Sequence, residues 1–214
     1  MTIGKTLANI FSAVLSPFLM PFYNVVLLFA YTTFYEIHFR QILYYIIPVL
    51  LFSFIVPVSF LFVLKKLRMI SGYSIPEKKE RILPYLMTCF ANSMLFYYFY
   101  SSGTYFWFLG IIAIPVVISL VGFIINLFWK ISAHMMGIGG LIGTVMAVCF
   151  YIKGLNPFIL FIILFILAGC LGVSRVYLKR DTAAQVYGGF AVGFALAFLC
   201  ILGSIFYMIG QSSI

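Results

Sequence analysis

Seven long apolar runs, near residues 10–35, 42–64, 82–100, 105–129, 132–152, 157–177 and 183–209, take up most of this 214-residue chain. A helix needs roughly 20 apolar residues to cross the hydrocarbon of a bilayer. Each run has about that length. The runs are continuous rather than alternating, which argues against barrel strands. The first is the weakest span, because Pro17 and Pro21 remove backbone donors within it. Residues 2–16 could instead lie along the interface as an amphipathic helix, with the span starting near Phe22. The expectation is an all-α, polytopic membrane bundle of about six to seven transmembrane helices. It forms a single domain over residues 1–214, with no cleavable signal peptide.

Composition agrees, since 65% of residues are hydrophobic and only 8% are charged. Such a chain cannot fold as a soluble domain. Its net charge of +9 has no soluble basic face to display. Membrane lipids with anionic headgroups, or phosphorylated lipids, are therefore better partners than nucleic acid. The four cysteines, Cys89, Cys149, Cys170 and Cys200, fall inside apolar runs without paired spacing. They read as small hydrophobes rather than disulfides or metal ligands. No cofactor or metal is expected.

If all seven runs span, the basic residues divide unevenly. Lys5, Lys65, Lys66, Arg68, Lys78, Lys79, Arg81, Lys130, Arg175, Lys179 and Arg180 share one side, and only Arg40 and Lys153 lie on the other. The positive-inside rule places the rich side in the cytoplasm of a multi-pass cell-membrane protein. The runs Phe96–Tyr100 and Tyr105–Phe108 read as an aromatic belt at the opposite interface, where His38 also sits, beside Glu36 and Arg40. Gly139, Gly143 and Ala147, and likewise Gly189, Gly193 and Ala197, repeat at four-residue spacing. Such ridges let helices pack closely in lipid.

Polar groups beside hydrocarbon are costly, so clusters of them mark sites. One cluster runs from Ser174-Arg175 through Lys179-Arg180-Asp181 to Gln185, and another is Ile131-Ser132-Ala133-His134. A third, Glu77-Lys78-Lys79-Glu80-Arg81, precedes the third run. Two spans separate each cluster from the next, so all three emerge on one face. Helix starts at that face also point free N–H groups toward an anion. Thr182 followed by Gln185 fits a capping box opening the last helix.

Ser174-Arg175 and the spacing to Asp181 and Gln185 resemble the third signature of the type 2 phosphatidic acid phosphatase superfamily. Ser132 and His134 resemble its second. The resemblance covers residues 130–190, within a motif-bearing core of about 78–209. Asp181 stands where the family has its nucleophilic His, and Gln185 replaces the carboxylate that orients it. The first signature does not match, and Lys78 and Arg81 supply only its chemistry. The resemblance implies a phosphate pocket made by Ser132, Ser174, Arg175, Lys179, Arg81 and Lys78. It also implies His134 as general acid, a task suited to imidazole. Asp181 either caps the last helix or takes part in chemistry as base or nucleophile. The implied ligand is a lipid phosphate, such as phosphatidic acid, phosphatidylglycerol phosphate or a polyprenyl diphosphate. Two functions follow: a lipid-phosphate hydrolase with rewired chemistry, or a non-catalytic protein that binds or moves a lipid phosphate or supports a membrane complex. A transporter, hinted at by Pro17/Pro21 and Pro48/Pro57, ranks last without an internal repeat.

Overall fold

The computed structural model describes residues 3–32, 41–72, 79–151 and 156–212. Over these residues the chain is helical. The helices are α1 (Ile3–Val14), α2 (Met20–Tyr31), α3 (Ile42–Leu50), α4 (Val56–Lys66), α5 (Ile82–Ser101), α6 (Phe106–Phe128), α7 (Ala133–Tyr151), α8 (Phe158–Tyr177) and α9 (Ala183–Ser212). Seven stretches are long and apolar enough to cross a membrane: Ile3–Tyr31, Ile42–Lys66, Lys79–Ser101, Phe106–Phe128, Ala133–Phe150, Phe158–Tyr177 and Ala183–Met208. This is a multi-pass membrane protein. Successive spans run in alternating directions between two ends of the bundle, here the motif face and the far face.

The first stretch is broken. Ser16 is extended, and Pro17 opens a short 3-10 turn before α2. Proline fixes its own φ and disfavours helix at the residue before it, so the break falls where Ser16 meets Pro17. α1 then runs across the motif face. The space beside Gly4 is filled by the Tyr177 hydroxyl, while Asn9 meets Arg180 and Ser12 meets His134. Those three contacts all lie within a turn of the motif face, although Gly4 and Ser12 are about 12 Å apart along α1. Ile3, Leu7, Ile10 and Val14 form an exposed apolar stripe along its outer side. The exposed stripe opposite a packed face gives α1 the amphipathic character of the alternative reading for residues 2–16.

α7 and α9 make the tightest pairing in the bundle. A Cβ on Gly139 or Gly143 would meet the carbonyls of Phe190 and Phe194, and one on Gly193 would meet that of Met136. The two glycine ridges therefore face each other at backbone contact. This brings the starts of α7 and α9 side by side at the motif face.

The bundle is packed unevenly along its length. Toward the far face, Val25, Leu28, Val49, Leu95, Phe99, Phe108 and Ile112 form a closed apolar plug. The expected aromatic belt is divided. Tyr97, Tyr100 and Tyr105 are exposed, but Phe99 and Phe108 are fully buried, with ring centroids 5.2 Å apart. His38, Glu36, Arg40 and Lys153 lie outside the described residues. Toward the motif face the helices part around a cavity. Between α3 and α4 one widened turn, the π-helix Leu51–Ile55, follows Pro48 and precedes Pro57. Such insertions accommodate a disrupted hydrogen-bond ladder. This one directs Ser53 and Phe54 toward the cavity. The four cysteines are half-buried and unpaired.

Candidate functional site

The turn between α8 and α9 sets the centre of the site. Lys179 adopts φ 53°, the left-handed region usually left to glycine. The Arg180 N–H then bonds to the Arg175 carbonyl at 3.1 Å, and the Lys179 N–H to Val176 at 2.9 Å. These are the two bonds of a Schellman helix end. The turn folds the chain back so that Asp181 lies against Arg175. Thr182 and Gln185 bond reciprocally at 3.0 and 3.4 Å, so the capping box opens α9 through Thr182 and leaves Asp181 free of that task.

The Asp181 carboxylate is completely enclosed. Its Oδ2 accepts hydrogen bonds from Arg175 Nε and Ser132 Oγ, both at 2.8 Å. Its Oδ1 has no hydrogen-bond partner and lies 3.7 Å from Lys130 Nζ and 3.9 Å from an Arg81 nitrogen. Burial alone would raise the pKa of this acid. The Arg175 charge and hydrogen bond, the Ser132 hydrogen bond and the Arg81 charge outweigh it and hold the carboxyl below its ordinary range. Burial, with Arg81 nearby, lowers the pKa of Lys130 in turn. Arg81 Nη1 donates to the Ile131 carbonyl at 3.1 Å, and Lys130 donates to the Arg180 carbonyl. Three chain segments are thus tied around one buried acid.

A cavity of about 630 Å³ opens beside this cluster, within the usual size range of a small-molecule site. Arg81, Arg175, Arg180 and His134 line its mouth, and α1 lies across it through Asn9 and Ser12, with Ser16 following at the break. His134 Nε2 donates to the Ser12 carbonyl at 3.1 Å, and Arg180 bonds Asn9 at 3.0 Å. Ser132, Lys130 and Asp181 do not line the cavity and sit behind the arginines.

Of the residues singled out in the sequence, Ser132, Arg175, Asp181 and Arg81 come together directly, and His134 lies one turn along at the cavity. Ser174 is buried, but its hydroxyl bonds the Cys170 carbonyl at 2.7 Å within its own helix. Lys179 is exposed, and its contribution is the left-handed turn. Lys78 lies outside the described residues. Sequence reasoning placed Arg180 in the Ser174–Gln185 cluster without giving it a role, and did not select Lys130, Tyr85, Asn24 or Asn92. Lys130 adjoins the Ser132 segment, which was a usable signal. Arg81, Tyr85, Thr88 and Asn92 follow the four- and three-residue spacing of one helix face, a polar stripe inside an apolar run. No family model matches this chain, and no curated protein or solved structure is similar to it.

Proposed function

We propose that this protein binds a lipid phosphate at the motif face, in a pocket resembling that of the type 2 phosphatidic acid phosphatases, and holds it without hydrolysing it. The observation that carries this reading is the mouth of the cavity. Arg81 from one segment and Arg175 and Arg180 from the end of α8 and its turn converge there, while the acid that offsets them lies behind. Guanidinium groups suit phosphate because their planar fork meets two oxygens at once. Below the mouth, Met20, Leu61, Ile114 and Ile118 offer apolar wall for a tail.

The chemistry argues against turnover by the family's route. A nucleophile must reach phosphorus in line with the leaving group. The Asp181 carboxylate is enclosed, doubly hydrogen-bonded and surrounded by cations, and a carboxylate so stabilised is a poor nucleophile. In this reading Asp181 orients the arginines. A second reading keeps hydrolysis, because His134 does face the cavity and an imidazole there could protonate a leaving group. By charge, the motif face lies in the cytoplasm.

The test uses the full-length protein in nanodiscs, titrated with phosphatidic acid and with phosphatidylcholine of the same chains. Saturable binding is expected for phosphatidic acid only. Arg81→Gln and Arg180→Gln each weaken it about tenfold or more, as expected for a lost charge-assisted hydrogen bond. Equal affinity for the two lipids would defeat the proposal. Phosphate release that disappears in His134→Ala and Asp181→Ala would establish the hydrolase instead.

A further inference from the structure

The cavity does not become wholly apolar below its mouth. A polar stripe passes from Arg81, at the head of α5, through Tyr85 and Thr88 to Asn92, about 16 Å along the axis and roughly half the thickness of a bilayer's hydrocarbon core. Beyond Asn92 the same face turns apolar with Leu95 and Phe99, where the plug closes the bundle. Asn24 enters the same space from α2. Asn92 is 1% exposed and Asn24 is 5% exposed. Neither side-chain oxygen has a hydrogen-bond partner, nor does the buried Tyr85 hydroxyl. The Ser12 hydroxyl, at the motif-face end, is also without a partner, whereas three hydroxyls deeper along the wall are engaged. Thr88, Ser53 and Ser119 each bond the carbonyl four residues back, at 2.8, 2.6 and 2.6 Å.

A buried amide oxygen without a donor costs about 1–3 kcal/mol, and such atoms are rare in folded proteins. Two among the residues lining one cavity, one from α2 and one from α5, describe a site complementary to a donor. The Asn92 amide nitrogen already bonds the Thr88 carbonyl at 2.8 Å, so that side chain presents its oxygen. We infer that the cavity accepts an anionic lipid whose tail carries a hydroxyl partway along its length, its one O–H donating to the side-chain oxygen of Asn92 or Asn24. The inference rests on the lipid-phosphate reading above and specifies the tail. An unsubstituted acyl tail would leave both oxygens unsatisfied against hydrocarbon.

Two probes separate the possibilities, both monoacyl glycerol phosphates. One carries a plain stearoyl chain, and the other a stearoyl chain hydroxylated at mid-chain. Binding to the full-length protein in nanodiscs is measured for each. The hydroxylated lipid is expected to bind about tenfold more tightly, the effect of one buried hydrogen bond. The double variant Asn92→Leu/Asn24→Leu should remove that preference, chiefly by raising the plain lipid's affinity, since leucine leaves no unpaired oxygen against its tail. Thermal melting of each variant checks that the bundle is intact, and Asn92→Asp gives a second substitution of nearly the same shape. Equal affinities for the two lipids would overturn the inference and leave the deep end to water, with phosphate binding intact. Failure of both lipids to bind would overturn the lipid-phosphate reading and this inference with it.

Discussion

Arg175 Nε and Asp181 Oδ2 lie 2.8 Å apart, with both side chains almost wholly removed from solvent. The pair joins the end of α8 to the turn before α9. Arg81 and Lys130 approach the same carboxylate from two other segments. One acid therefore balances a group of cations that would otherwise repel one another inside the bundle.

Removing that acid should be costly. Asp181→Ala is expected to destabilise the detergent-solubilised protein by about 3–5 kcal/mol, the usual penalty for leaving one partner of a buried pair. Inorganic phosphate should restore part of the loss by supplying an anion in the vacated space. Thermal melting in phosphate and in chloride of equal ionic strength measures both effects. A variant that melts like the parent protein would show that the carboxylate does not hold the cluster together.

The depressed pKa of Asp181 sets a direction with pH. A carboxyl whose folded pKa lies below its unfolded one stabilises the fold fully above the unfolded value, about 3.9, and loses that contribution as pH falls through the folded value. Melting temperature should therefore hold nearly level down to about pH 4 and drop below it. Asp181→Asn should melt lower above about pH 4, lack this component of the drop and approach the parent protein at lower pH. With only four acidic residues in the chain, few other groups can imitate it.

Glycines on the ridges and glycines elsewhere in the helices differ in whether they tolerate a methyl group. At Gly193 and Gly139 an added Cβ would run into the backbone of the partner helix. Each alanine there should cost upwards of about 2 kcal/mol, because backbone cannot yield as a side-chain tip can. At Gly169 and Gly203 nothing lies within 4 Å, and alanine should be neutral or stabilising by up to about 1 kcal/mol. Melting of the four single variants decides it, and equal losses at all four would refute the ridge pairing.

Orientation can be read at Ser71, which is exposed on the motif side and bonds Glu80 through its backbone N–H and hydroxyl at 3.0 and 2.9 Å. In a background lacking the four native cysteines, Ser71→Cys should resist a membrane-impermeant thiol reagent in intact cells and react once the membrane is opened. Labelling in intact cells would put the motif face outside.

Much of the plan is legible along the chain. Run length and continuity locate the spans, because a helix crossing lipid must satisfy its backbone internally over a set distance. The α1 break was visible in Pro17, and the α9 cap in Thr182 and Gln185. Harder to see was the work each polar group does. Ser174 and Lys179 stand inside the most conspicuous cluster, yet one bonds its own helix and the other makes a turn. Lys130 looks like an ordinary anchor and in fact reaches Asp181.

The sequence by itself determined the helical class, the membrane setting and the gathering of three polar segments on one face, since these depend on local hydrophobicity and on counting crossings. Tertiary structure alone decided that Asp181 is enclosed behind Arg175, that α1 lies over the cavity, and that Asn24 and Asn92 share one space. Those relations join residues far apart in the chain, such as Ser132 with Asp181 and Ser12 with His134. They depend on how closely backbones approach at the glycine ridges and on where the apolar plug ends, and neither is written in any local pattern.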